Sequence, residues 1–337
     1  MRVQYPTTML GRGGRHAQPS ALLQTAAVLI LLVGWSLSSR AEEPPVFLSK
    51  WGTTGTGDGQ FLKAVSIAVD GLSRIYVTDP QLRRIQEFSN DGGFLLNWGG
   101  QGSAEGQFEN GPHGVTVDGS NAIYAAGDGR VQKFDASGSL LGLFPGGGID
   151  NAVDAAGQNL YAVGANVVIQ YTTTGSLVRQ WTTTDDSRAS NNGVAIGPGG
   201  CVYVVEGGVI DQVFKYTPDG TLVTQWGSSG TADGEFRSPY GIAVDADENV
   251  YVCDSGNARV QKFTSGGLFL TKWGTSGMAD GQFLFASDVA VDGDGNVYVV
   301  DAALNRVQKF GSPPTPTIAT SWGRIKSLYR VPGRFDH

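Results

Sequence analysis

The sequence predicts an all-β protein, a six-bladed β-propeller closed into a ring by its own N-terminal strand. Three observations carry this. One phrase, clearest from Phe236 to Gly274, recurs along the chain, each copy marked by an apolar residue followed by Asp. Anchors fall at Val69-Asp70, Val117-Asp118, Val244-Asp245 and Val291-Asp292, with drifted copies at Val153-Asp154 and Ile196-Gly197. The spacings are 48, 36, 43, 48 and 47 residues, and a period in the forties with several short strands per unit marks a propeller blade. The second observation is the order of strand patterns within each unit. The third is a mismatch at the two ends that only ring closure repairs.

The fifth unit shows the pattern strand by strand. Gly241-Ile-Ala-Val-Asp245 is nearly all apolar, as an innermost strand buried on both faces requires. Asp247, Glu248 and Asn249 form the turn, because Asp and Asn bond their own main chain there. Val250-Tyr-Val252 is the second strand, rich in β-branched and aromatic residues. Arg259-Val-Gln-Lys-Phe263 alternates polar and apolar as a third strand. Leu268 to Trp273 follows as the outer strand. The sixth unit stops after Val307-Gln-Lys-Phe310 and breaks into Ser312-Pro-Pro-Thr-Pro316. An orphan outer strand, Phe47-Leu-Ser-Lys-Trp51-Gly52, sits at the other end and matches Phe269-Leu-Thr-Lys-Trp273-Gly274. Strand 46–52 therefore completes the last blade and removes an open sheet edge.

The phrase resembles the NHL repeat, through the Gly-Ile-Ala-Val-Asp strand, the Tyr-Val strand, Arg-Val-Gln-Lys-Phe and the Trp-Gly turn. The resemblance covers about residues 46 to 310. Units one, two, five and six also carry the turns Asp58-Gly-Gln-Phe61, Glu105-Gly-Gln-Phe108, Asp233-Gly-Glu-Phe236 and Asp280-Gly-Gln-Phe283. Unit three has Phe144-Pro145 in place of Trp-Gly, and neither unit three nor unit four opens with the Asp-Gly-Gln-Phe turn.

Fifty glycines among 337 residues suit a chain of many tight turns. Residues 1–41 read as a secretory signal peptide: Arg2, Arg12 and Arg15, an apolar core from Ala26 to Trp35, and small residues at Ser39 and Ala41 before Glu42. Met9 is an alternative start. An uncleaved membrane anchor is the rival reading, at the short limit of a span. Without this leader the chain has 20 Lys and Arg against 31 Asp and Glu. Some NHL propellers bind RNA through a basic face, but the field of this chain repels phosphate, so nucleic acid is not an expected partner. Cys201 and Cys253 fall in different blades and are expected to be unpaired thiols.

Candidate chemistry is sparse. The resemblance brings in a secreted lyase that holds zinc with histidines at the mouth of the channel. The residue just before each inner strand should form that mouth: Val65, His113, either Asp150 or Asn151, Asn192, Tyr240 and Ser287. Only His113 is a histidine, and a catalytic zinc takes three protein ligands. No metal or cofactor is therefore expected. Asp292-Gly-Asp294-Gly-Asn296 resembles half a calcium loop, as does Asp245-Ala-Asp247-Glu-Asn249, but both lie where a hairpin turn is needed and lack the remaining ligands. Asp79 with Arg84, Asp254 with Arg259 and Asp301 with Arg306 recur once per unit, as structural pairs do and a catalytic pair does not.

The expected organisation is a leader (1–41), a propeller (42–310) and a Pro/Thr linker with a short basic tail (311–337). In the tail, Trp322, Ile325, Leu328 and Tyr329 share one side at helical spacing behind a Ser321 cap. It either docks on a partner or folds back onto the acidic ring. The function expected is a secreted or envelope interaction module presenting its mouth to a protein, peptide or glycan. His113, Asn192, Tyr240 and Ser287 are the candidate ligand contacts, with membrane contact only through an uncleaved leader. The alternative is an extracytoplasmic lyase or hydrolase working at the same mouth.

Overall fold

The computed structural model describes residues 42–146, 148–184 and 190–312. The expected leader lies outside them, as does the tail beyond Ser312. Six four-stranded antiparallel sheets form the blades. Their innermost strands are Ile67–Val69, Gly114–Val117, Asp150–Val153, Ser190–Ile196, Pro239–Val244 and Ala286–Val291, for blades 1 to 6 in order. Closure is as expected. Val46–Trp51 pairs antiparallel with Arg306–Gly311 and becomes the outer strand of blade 6.

The repeated residues have repeated tasks. The Asp that ends each inner strand holds the next turn. Asp292 Oδ1 accepts from the Asp294 and Asn296 N–H groups, and Oδ2 accepts from Asn296 Nδ2 and the Tyr298 hydroxyl. Asp245 does the same with Asp247, Asn249 and Tyr251. The calcium-like sequences are thus turns whose carboxylates are occupied by main-chain and side-chain donors. Blade 4 has Gly197 at this position, and Glu248 of blade 5 supplies the missing oxygen to Tyr203.

The Asp-Gly-Gln-Phe turns are stitched to the third strand. The Gly59 N–H donates to Gln86 Oε1, whose amide donates back to the Gln60 carbonyl, and Phe61 is fully buried beneath. Gln132, Gln261 and Gln308 repeat the stitch. The preceding Arg caps carbonyls of the same loop, as Arg259 does at Thr231, Ala232 and Glu235. Arg259 also pairs with Asp254 at 2.7 Å and Arg306 with Asp301 at 3.6 Å, whereas Arg84 reaches the Gly57 and Gln60 carbonyls instead of Asp79. Two of the three expected pairs thus form, and Asp79 instead accepts from the Leu62, Lys63 and Leu82 N–H groups.

Blades grip one another through tryptophan. Trp51 of blade 6 lies against Gly92 of blade 1, Trp98 against Gly138, Trp181 against Gly220 and Trp226 against Gly267. Gly92 has φ +91°, and a Cβ there would come within 2.6 Å of the Trp51 ring. Glycine is required on both counts. Phe144-Pro145 belongs to blade 2 and not to unit three as the sequence suggested, because Leu140–Pro145 is the outer strand of the Gly114–Val117 sheet. There Phe144 replaces Trp and packs on Tyr124. Cys253 is buried and Cys201 half-buried, both as free thiols.

Candidate functional site

The loops leading into each inner strand share one face of the ring, and the residue just before each inner-strand pattern stands at the throat of the channel. Main-chain bonds fix the station: the Val65 N–H donates to the Thr78 carbonyl, His113 to Ala126 and Ile149 to Val163. Blade 3 therefore places Ile149 there and not Asp150 or Asn151, and Asp150 sits one step deeper. His113, Asn192 and Tyr240 do converge. With Val65, Ser66, Ile149, Asp150, Gly241 and Asp288 they surround a space of about 10 Å³, room for about one water. Ser287 does not join them. The register shift around it also occurs around Asn192 and Tyr240, so what sets Ser287 apart is its short side chain. It is buried, and its hydroxyl donates to the Val65 carbonyl at 2.8 Å across the closure seam. Asp288, the next residue, lies at the floor of the throat, level with Asp150.

The throat retains unengaged polar groups. Asn192 donates its amide to the Pro239 carbonyl at 2.9 Å. The His113 ring and the Tyr240 hydroxyl, by contrast, make no hydrogen bond among the described residues. Burial, and then the Lys63 charge, push the His113 imidazole below its usual range, with Asp128 opposing. The ring is accordingly neutral at pH 7. Burial, followed by the charges of Asp150 and Asp288, raises the Tyr240 phenol. Tyr240 meets Phe285 edge to face at 5.9 Å, so the rim between blades 5 and 6 is aromatic.

Below the throat, the inner strands of all six blades line a cavity of about 170 Å³. Its walls are aliphatic except for Thr116, Asn151 and two carboxylates, Asp150, which the sequence offered for the mouth, and Asp288, which it did not. The station after the throat reads Ser66, Gly114, Asp150, Gly193, Gly241 and Asp288, so the acids occupy blades 3 and 6, three blades apart in either direction. Each joins adjacent blades. Asp288 accepts from Val289 N and, across the closure seam, from Ile67 N, both at 2.9 Å. Ser66 also donates to it while accepting from Val115 N at 3.1 Å. Asp150 accepts from Val194 N of blade 4 at 3.0 Å and from Asn151 N. Inner-strand N–H groups along a channel have no strand partner, and these side chains satisfy them. Glycine precedes each acid for room: a Cβ on Gly114 would lie 2.5 Å from Asp150 Oδ1, and one on Gly241 2.3 Å from Asp288 Oδ1. Burial raises the Asp288 carboxyl to about 6. Asp150 lies well above the carboxylate range, through burial and then the charge of Asp288. Lining the six units up against one another exposes this pair, because acid replaces Gly or Ser in only two of them.

Comparison with known proteins is consistent with the fold throughout. The NHL repeat family model matches residues 236–263, the Phe loop to the third strand of blade 5. No curated protein sequence matches the chain. A structural genomics protein from Bacteroides thetaiotaomicron superposes with a TM-score of 0.64 at 20% identity, over 80% of this chain and 76% of that one. Kuenenia stuttgartiensis hydrazine synthase gives 0.55 at 12%, over 77% and 98%. A streptogramin B lyase gives 0.54 at 16%, over 73% and 78%. At these identities the likeness is one of fold. Six repeats closed into one ring agree with the family match: the chain is a six-bladed β-propeller that carries an NHL repeat in blade 5.

Proposed function

We propose that this NHL propeller is an extracytoplasmic interaction module whose throat face takes up a protein, peptide or glycan, with His113, Asn192 and Tyr240 at the centre of the contact. The observation that carries the reading is the pair of unengaged polar groups, His113 and Tyr240, brought to one throat from different blades. Both side chains are half-buried with their polar atoms within reach of water, so a ligand that offers partners there exchanges solvent bonds for fixed ones, each worth about 0.5–1.5 kcal/mol net. Phe285 and Leu284 are part-exposed beside them, which adds the apolar anchor that binding faces favour. Glu42 and Ser312 both line a groove with Asp245 and Asp247 on the opposite face, so the throat face is clear of both described ends. Export through the leader 1–41 completes the proposal and accords with the acidic balance of the remaining chain.

A lyase or hydrolase at this mouth would need substrate atoms to reach Asp150 or Asp288. Both lie under the narrow throat with their oxygens engaged by backbone N–H groups, so binding is the better reading. The test is photo-crosslinking from two positions, Phe285 on the rim and Leu95 on an outer strand, where Leu95 is 52% exposed. A discrete envelope partner crosslinked from Phe285 and not from Leu95 is the expected result. Equal labelling from both positions, or none from Phe285, would refute it.

A further inference from the structure

Between blades 1 and 2, beside the throat, lies a groove of about 570 Å³ lined by Leu62, Lys63, Pro80, Gln81, Arg83, Asn110 and His113. It contains no carboxylate, although acids outnumber bases by 31 to 24 in the chain. His113 lines both this groove and the throat. The cations differ in how they are held. Lys63 is exposed and makes no ion pair among the described residues. Arg83 is anchored: Nε donates to the Glu109 carbonyl at 2.9 Å and one terminal nitrogen to the Gln81 carbonyl at 3.2 Å. Its other terminal nitrogen makes no bond among the described residues, on a guanidinium already fixed in place.

The wall is closely packed at one side. Gly111, at φ +99°, lies so close to Pro80 that a Cβ would come within 2.3 Å of its backbone. The acids around the groove are occupied: Asp79, buried behind the wall, accepts from the Leu62, Lys63 and Leu82 N–H groups at 2.8, 3.2 and 3.1 Å, and Asp128 from the Glu109 and Asn110 N–H groups at 2.6 and 2.8 Å. Arg83, its donors already oriented, loses little entropy on binding.

We infer that this groove is an anion subsite that takes a carboxylate of the ligand, with Lys63 and Arg83 as its cationic contacts and His113 as the link to the throat. The inference rests on the throat-face reading and names the chemistry of what that face recognises. The rim at Tyr240 and Phe285 receives apolar parts and the groove receives the charge. A neutral amide of the same shape would lose the charge-assisted bonds, which are about twice as strong as neutral ones.

The test follows the His113 imidazole by NMR through a pH titration of the full chain, its signal identified with His113→Gln. N-acetylglycine, N-acetylglycinamide and inorganic phosphate are the probes. N-acetylglycine should raise the His113 midpoint by about half a pH unit or more, because a bound anion favours the charged ring. The amide should leave it unmoved, and Lys63→Ala with Arg83→Ala should abolish the response. An equal response to the amide, no response to N-acetylglycine, or one that survives in the double variant would overturn the inference. A response to phosphate alone would overturn the assignment to carboxylate. Crosslinking from Phe285 that persists in the double variant would leave the throat-face reading standing while the subsite failed.

Discussion

Replacing Asp288 with asparagine isolates a single contact at the closure seam and separates its two effects by pH. The carboxyl has a folded value of about 6 against an ordinary 3.8. At roughly 1.4 kcal/mol per pH unit this corresponds to about 3 kcal/mol. Channel water screens part of it, so about 1–3 kcal/mol is the working range. The sign follows from linkage: the folded protein binds this proton more tightly than the unfolded chain. The group's contribution is therefore most favourable below about pH 4, declines as pH rises through about 6, and is flat above. Asparagine has one acceptor oxygen where the carboxylate has two, so either Ile67 N or Val289 N loses its partner at about 1–3 kcal/mol. Near pH 4.5 the variant should show that loss alone. Near pH 7.5 relief of the buried charge should offset most of it. Urea unfolding of both proteins at both pH values measures the difference directly. The same deficit at both would refute the argument, since it would mean that no proton is linked to folding at Asp288.

Two further outcomes follow from the packing. Gly92→Ala should lose about 1–3 kcal/mol more in chemical denaturation than Gly106→Ala, because both have positive φ but only Gly92 faces a ring, that of Trp51. Equal losses would sink the claim that the seam is held by tryptophan against glycine. In a Cys201→Ser background, Cys253 should react with a thiol reagent only at the rate of global unfolding, since burial holds its thiol well above the usual range and out of contact with solvent. Rapid labelling in native buffer would contradict this.

Blade number, strand order and ring closure were legible in the chain because each depends on short-range pattern repeated several times. Phe47 to Gly52 matches Phe269 to Gly274, and both are outer strands in the structure. Asp245 and Asp292 could be read as turn residues because their partners lie two to six positions away. The throat was legible in part. His113, Asn192 and Tyr240 follow the repeat and arrive where it places them, whereas Ser287, at the equivalent place, is held in a buried hydrogen bond to the Val65 carbonyl and drift in blade 3 concealed Ile149. The cationic groove left no trace, since Lys63 and Arg83 sit in loops whose repeat copies hold other residues.

What the sequence determined by itself is the ring: local hydrophobic period and turn chemistry dictate blades, and the donated strand makes the last of six blades four-stranded like the others. What only the tertiary structure decided is which residues meet at its centre. Asp150 and Asp288 are 138 positions apart, yet closure brings both into one cavity, where each bonds the N–H of the following blade. Burial, field and throat width arise from that convergence, and no local pattern encodes them.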